Sequence, residues 1–169
     1  FEGHEIYRDT ADKLNSMLIL TAPFADTTNL TLKGTYQQEN LALALCAIQT
    51  VFPKISQETI ETALKNVKHP CRFQYIKDKN LIIDGGHNPN GINELLKSLD
   101  MYYPNIQRRF IFGCLKNKDY PKMVKTLLKE GDTVYFYQFS NPNSCDFETL
   151  QKVCPIAAQE LKQDTQIDF

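Results

Sequence analysis

Residues 81 to 96 read LIIDGGHNPNGINELL. Leu81, Ile82 and Ile83 make an apolar run that predicts a buried strand. Asp84 stands at the C-terminal end of that run, the edge at which open α/β sheets bind ligands. Gly85 and Gly86 permit a tight turn and a close backbone approach. Asn88 is a good N-cap, and Pro89 suits the first helical position. Ile92, Leu95, Leu96 and Leu99 then recur at helical spacing. A helix start presents unpaired N–H groups and a positive dipole end, so Asp84 and His87 fall beside a natural anion site. Like charges repel, so Asp84 suits a ribose hydroxyl or a metal-bound water better than a phosphate. The plainer reading is that Asp84 and Asn88 cap the turn and His87 is a solvated loop residue.

The segments around this turn alternate in type. FQYI and NLIID read as strands, PNGINELLKSLDMYY as a helix, RRFIFGCL as a strand and YPKMVKTLLKE as a helix. DTVYFYQF reads as a further strand, and FETLQKVCPIAAQELK holds a last helix that Pro155 breaks or kinks. That order, β-β-α-β-α-β-α, predicts a mostly parallel sheet covered by helices. Upstream the texture differs. Residues 17 to 25, MLILTAPFA, read as a buried strand, and NLTLK, residues 29 to 33, as a short one. TYQQENLALALCAIQTVF reads as a helix with capping-box spacing from Thr35 to Gln38, closed by Pro53. A second helix starts at Ser56, with Ile60, Ala63, Leu64 and Val67 on its apolar face. His69-Pro70 breaks it, so a domain boundary is placed there: residues 1 to 69 and residues 70 to 169.

Composition excludes several classes. The chain has 169 residues, 42% of them hydrophobic, and a formal net charge of −1, which draws it to neither nucleic acid nor a membrane. No apolar run reaches the ~18 residues of a spanning helix. The N-terminus lacks the basic and apolar regions of a signal peptide, and it has no starting Met. Five cysteines, without a CxxC, fit a reducing, cytoplasmic setting, with Cys46 and Cys114 as small core residues. Three histidines, none paired at ligand spacing, argue against a zinc site.

Gly86 and Gly91 have GxxxxG spacing, but Ile92-Asn93 follows where a P-loop needs Lys-Ser/Thr. A dinucleotide GxGxxG is absent as well. Arg72 stands alone after the His-Pro break; its guanidinium suits bidentate phosphate recognition, although a linker arginine is more often a surface residue. Gln37 and Asn40, three apart on one helix face, suit a base edge or a plain polar first turn. Lys116, Lys118 and Asp119 follow the strand FIFGCL and are expected at the same edge as Asp84.

Four segments in order resemble the folylpolyglutamate synthase/dihydrofolate synthase family of the Mur-ligase superfamily. LKGTYQQENLALAL is similar to its L-x-G-x-H-Q-x-x-N segment, and HPCRFQYI to its W-P-G-R segment. LIIDGGHNPNGINELL is similar to its L-D-G-A-H-N-P segment, and FIFGCLKNKDYPKMVKTL to its F-G-x-L-x-D-K-D segment. The resemblance implies a Rossmann-like C-terminal domain at 70 to 169, preceded by the tail of a central ATPase domain at 1 to 69. It implies an ATP-dependent ligase that phosphorylates a folate carboxylate and lets the amine of L-glutamate displace the phosphate. Asn40 then matches the adenine-side asparagine, Arg72 the arginine that reaches ATP, and Asp84 the aspartate near the nucleotide. His87 lines the same cleft and is the candidate catalytic residue; Lys118 and Asp119 have a weak positioning role. ATP and Mg2+ are the implied cofactors, with the metal ligands expected in an upstream ATPase region that this sequence lacks. This chain alone is therefore expected to be inactive.

The departures are Cys71 for a glycine, His69 for an aromatic residue, Tyr36 for a histidine and Gly86 for an alanine. The alternatives are another Mur-type amino-acid ligase, a stand-alone binding or interaction module without catalysis, and an unrelated nucleotide-binding α/β domain.

Overall fold

The computed structural model describes residues 4–21 and 27–162. They divide into two units, one comprising the chain up to Leu30 together with Tyr36–Asn66, the other Thr31–Thr35 and everything from Val67 on.

The first unit is helical: α1 (His4–Lys13), α2 (Gln37–Val51) and α3 (Gln57–Asn66). Residues 17 to 21 form no strand, and Met17, at 76% exposure, Leu18, Ile19 and Leu20 are exposed rather than buried. A strand needs a neighbour for its N–H and C=O groups, and the described residues of this unit contain none. Residues 22 to 25 of that expected strand lie outside the described residues. NLTLK is likewise not a strand; there Thr31 Oγ1 donates to the Val67 carbonyl at 2.5 Å. α2 lacks the capping box expected from Thr35, because its N-cap is Tyr36, whose side chain makes no capping bond. α2 stops two residues before Pro53, with the Phe52 N–H closing on the Ile48 carbonyl. α3 has its expected cap, the Thr59 N–H donating to Ser56 Oγ at 3.1 Å. Ile60 is buried on its apolar face, while Ala63 is exposed.

The second unit starts with an antiparallel hairpin, β1 (Gln74–Ile76) and β2 (Leu81–Ile83), in register Gln74↔Ile83. A 3₁₀ turn at Lys77–Lys79 and a left-handed Asn80 (φ 46°) reverse the chain. β2 is half-buried along its length, not buried, because it pairs with β1 in a two-stranded ribbon outside the main sheet. From it α4 (Pro89–Tyr102) departs, with Asn88 as N-cap accepting from the Gly91 N–H at 2.8 Å and proline in its first turn.

The main sheet is parallel, in the order β3 (Arg109–Phe112), β4 (Thr133–Tyr137), β5 (Gln159–Leu161). α5 (Tyr120–Leu127) and α6 (Phe147–Gln151) connect its strands, so the unit is an α/β fold with two βαβ crossovers. The last segment differs from the expected helix. Only Phe147–Gln151 is helical, and Gln159–Leu161 is the third strand. Gln151 Oε1 accepts the Ala158 N–H at 3.0 Å, and this turn carries the chain past Pro155 back into the sheet.

Alternation along the strands builds the core. Phe112, Val134 and Phe136 are buried against Met123, Val124, Leu127 and Leu150, whereas Arg109 and Ile111 point the other way and are exposed. Each such buried side chain contributes about 2 kcal/mol. Cys114 belongs to this core as expected, whereas Cys46 is only half-buried. Asp100 on the last turn of α4 pairs with Arg108, just before β3.

Candidate functional site

Asp84 lies at the C-terminal end of β2, half-buried, and both its carboxylate oxygens accept backbone N–H groups. The Gly86 N–H donates to Oδ1 at 2.8 Å, which closes the turn toward α4. The Phe73 N–H donates to Oδ2, also at 2.8 Å, and so ties in a segment eleven residues upstream. A second link runs the other way, from the Gly85 N–H to the Cys71 carbonyl at 2.7 Å. The Cys71 N–H donates to Gln74 Oε1 at 3.0 Å.

These bonds hold an unusual backbone. Cys71 (φ 60°) and Phe73 (φ 43°) are both left-handed, and neither is glycine. Left-handed geometry costs an L-residue about 1–2 kcal/mol and persists only where the surroundings over-determine it. Phe73 is 2% exposed and packs on Tyr102 of α4, ring centroids 5.5 Å apart, which anchors one end of the turn. Arg72 sits between the two strained residues, half-buried. Among the described residues no ion pair or side-chain hydrogen bond occupies its guanidinium. The structure thus brings Arg72 and Asp84 together through the backbone of Phe73.

His87 is in the same loop and exposed, with Nδ1 3.2 Å from the Gly85 carbonyl. A carbonyl only accepts, so that bond places the proton on Nδ1 and leaves Nε2 as the acceptor of the neutral ring. Both glycines sit close against their neighbours, so a side chain at either would fit only tightly. A Cβ on Gly86 would meet Asp84 Oδ1 at 3.1 Å and the Gly91 carbonyl carbon at 3.3 Å; one on Gly85 would meet the Cys71 carbonyl oxygen at 3.3 Å.

Asn40 belongs to the other unit, exposed on α2, where its Nδ2 donates to Gln37 Oε1 at 3.3 Å. Asp119 caps α5, accepting from the Lys122 N–H at 3.3 Å. Lys116 Nζ lies 3.9 Å from Asp146 Oδ2, and Asp146 caps α6. The Asp146 carboxyl is held below the ordinary carboxylate range chiefly by its bonds from Thr149. Among the described residues no three His, Cys, Asp or Glu side chains group to hold a metal ion.

A polar cluster that the sequence reading missed surrounds Thr35. Its Oγ1 donates to Glu94 Oε2 at 2.9 Å, and its N–H donates to Ser98 Oγ at 3.0 Å. Ser98 is fully buried and also bonds the Glu94 carbonyl at 2.8 Å. Lys97 donates to Glu94 Oε1 at 2.7 Å, and this bond, more than the one from Thr35, lowers the Glu94 pKa against the opposing effect of burial. A serine one helical turn from a glutamate on an otherwise apolar face was the only available signal.

A Rossmann-like α/β domain is what the crossovers and the turn at the strand end define. The chain belongs to the Mur ligase family, its residues 71–166 matching the family's glutamate ligase domain. The dihydrofolate synthase/folylpolyglutamate synthase of Bacillus subtilis is 25% identical over 136 residues, 78% of this chain and 32% of that protein. The folylpolyglutamate synthase of Lacticaseibacillus casei is 38% identical over 110 residues, 62% of this chain and 25% of that protein. Among solved structures, the Mycobacterium tuberculosis folylpolyglutamate synthase complexed with ADP matches with a TM-score of 0.81 at 17% identity, over 94% of this chain and 42% of that one. The Yersinia pestis bifunctional folylpolyglutamate synthase/dihydrofolate synthase complexed with AMPPNP and a Mn ion matches with a TM-score of 0.78 at 21% identity, over 93% and 42%. At such identities the structural matches establish the fold. The chain spans about a third or less of the length of these curated relatives.

Proposed function

We propose that this chain is the C-terminal part of an ATP-dependent ligase that joins glutamate to a folate carboxylate. Residues 1 to 69 are then the end of its ATP-binding domain and residues 70 to 169 its glutamate ligase domain. The observation that carries the reading is Arg72: a half-buried arginine whose guanidinium has no ion pair or hydrogen bond among the described residues, on a turn held in a costly conformation. A cation so placed needs an anion, and a nucleotide phosphate fits its planar set of donors. ATP, when bound, supplies the phosphoryl group that turns a poor electrophile, the carboxylate, into an acyl phosphate with a good leaving group.

The residues of this chain bind and orient. Arg72 holds phosphate oxygens and offsets their charge. Asn40 reads the adenine side. Nε2 of His87 accepts a proton or a hydrogen bond at the same loop, and Asp84 governs the turn beside them. The Mg2+ ligands and the phosphate-binding loop come from an upstream segment, since this sequence has no P-loop. Exposed apolar side chains on and after α2, Leu43, Val51 and Phe52 among them, support cover by such a segment.

Incubated with ATP, Mg2+, a folate and glutamate, the 169-residue chain should release no ADP above background. Joined to an upstream ATP-binding segment, it should become active, and Arg72→Ala should then cut kcat/KM by about 100-fold, the loss of a charged phosphate contact of a few kcal/mol. Robust ADP release by the chain alone would refute the proposal, as would an undiminished rate in the Arg72→Ala enzyme.

A further inference from the structure

We infer that Asp84 is a positioning residue for Arg72: its carboxylate clamps the Cys71–Phe73 turn in the left-handed geometry that presents the guanidinium. The inference rests on the nucleotide reading of Arg72 given above, but it assigns Asp84 a different task from touching the nucleotide.

Three observations lead there. Each Asp84 oxygen already accepts a backbone N–H at 2.8 Å, one from each side of the site. The bond to Phe73 falls on one of two consecutive-but-one residues with positive φ, and the Gly85 N–H to Cys71 carbonyl bond at 2.7 Å falls on the other. The residue between them is the arginine. Hydrogen bonds to a carboxylate are stronger than those between neutral groups, so they suit holding strained backbone. Without Asp84, Phe73 loses its bond directly, and Cys71 loses support indirectly, through the Gly85–Gly86 turn that Asp84 closes. Both would then relax toward the right-handed or extended basins and turn the Arg72 side chain with them. Cys71 sharpens the case. A glycine reaches φ 60° without the Cβ penalty, whereas cysteine pays it and depends on the clamp.

The first measurement is amide hydrogen exchange by NMR on the 169-residue chain. Asp84→Ala should speed exchange at Phe73 by at least about tenfold, the loss of one hydrogen bond to a charged acceptor, with the amides of β3 and β4 unchanged. Asp84→Asn is the second variant, for use if the alanine variant fails to fold. It keeps the shape and one acceptor, so at least one of the Phe73 and Gly86 amides must lose protection. Unchanged protection at both would overturn the inference.

The second measurement is rescue, read as ATP affinity by isothermal titration calorimetry. Asp84→Ala should weaken binding about tenfold, and adding Cys71→Gly should recover about fivefold, because glycine removes roughly one residue's left-handed penalty. A carboxylate that merely contacts the nucleotide cannot be replaced by a glycine elsewhere, so no recovery would also overturn the inference. Arg72→Ala separates the two ideas. If it leaves ATP affinity intact, the nucleotide reading falls, while the exchange data still decide whether Asp84 clamps the turn.

Discussion

Gly113, the residue after β3, should be far less replaceable than Gly131. A Cβ there would lie 2.5 Å from the Tyr137 carbonyl oxygen at the end of β4, and 3.3 Å from Cδ1 of Phe139. Ordinary contact begins near 3.4 Å, so the strand ends must part by almost an ångström. The obstacle is backbone, which cannot swing aside as a side-chain tip would. Overpacking of this kind costs about 1–3 kcal/mol, and loosening one ladder hydrogen bond adds about 1 kcal/mol. A total of about 3 kcal/mol lowers Tm by roughly 12–24 °C in a domain of this size. Gly131 supplies the control. Nothing lies within 4 Å of its Cβ position, and only its φ of 91° opposes a side chain. Gly131→Ala should therefore cost about 1 kcal/mol, from conformation alone, and about 4–8 °C. Thermal unfolding of the two variants by calorimetry checks the ranking. A Gly113→Ala protein melting within about 2 °C of the parent, or level with Gly131→Ala, would show that close strand approach does not govern this position.

Thiol reactivity should divide the five cysteines. Burial, and next the neighbouring Cys145, pushes the Cys114 pKa up to about 12; burial also raises that of Cys145, and the two sulfurs lie 3.8 Å apart. A disulfide reagent at pH 8 should therefore label exposed Cys71 quickly, and Cys114 and Cys145 only on unfolding; peptide mapping that finds Cys114 modified early would contradict this. Glu94 should give the fold an acid-sensitive component. Its folded pKa lies below the ordinary 4.5, so the unfolded chain binds more protons in that window. The Glu94 contribution is fully present above the unfolded pKa and is lost as pH falls through the lower folded one. Urea unfolding from pH 6 to 2.5 should show a shallower loss in Glu94→Gln than in the parent, and parallel curves would exclude the effect.

The α4 start was legible because every part of it is local. Asn88, Pro89 and the Ile92, Leu95, Leu96, Leu99 spacing lie within one segment, and capping chemistry acts over three residues. The strands β3 and β4 were legible for a similar reason, as short runs rich in aromatic and β-branched residues, although RRFIFGCL reads on through Gly113 and β3 stops before it. Partnering was not legible. The run LII reads the same whether it enters a parallel sheet or a hairpin ribbon, and its pairing with QYI depends on Asn80 adopting φ 46°. Gln159–Leu161 has helix-forming residues, yet a parallel neighbour and the Gln151 side chain override them. Thr35 looked like a cap because its partners, Glu94 and Ser98, lie about sixty residues away. The turn around Arg72 was hidden for a further reason. Glycine would have announced positive φ; cysteine and phenylalanine do not.

That concealment bears on how the site keeps its arginine available. An arginine whose neighbour in the chain bonds an aspartate could pair with that carboxylate, and a guanidinium so satisfied would make a poor phosphate receptor. Here the Asp84 oxygens accept the N–H groups of Phe73 and Gly86. Backbone dipoles stabilise the carboxylate without spending a side-chain cation on it. The Phe73 bond sets the backbone on one side of Arg72 and the Gly85 N–H to Cys71 carbonyl bond sets it on the other, and among the described residues no side chain pairs with the guanidinium. A surface linker arginine would need no such arrangement, and strained backbone without a task would have little reason to persist in two residues out of three.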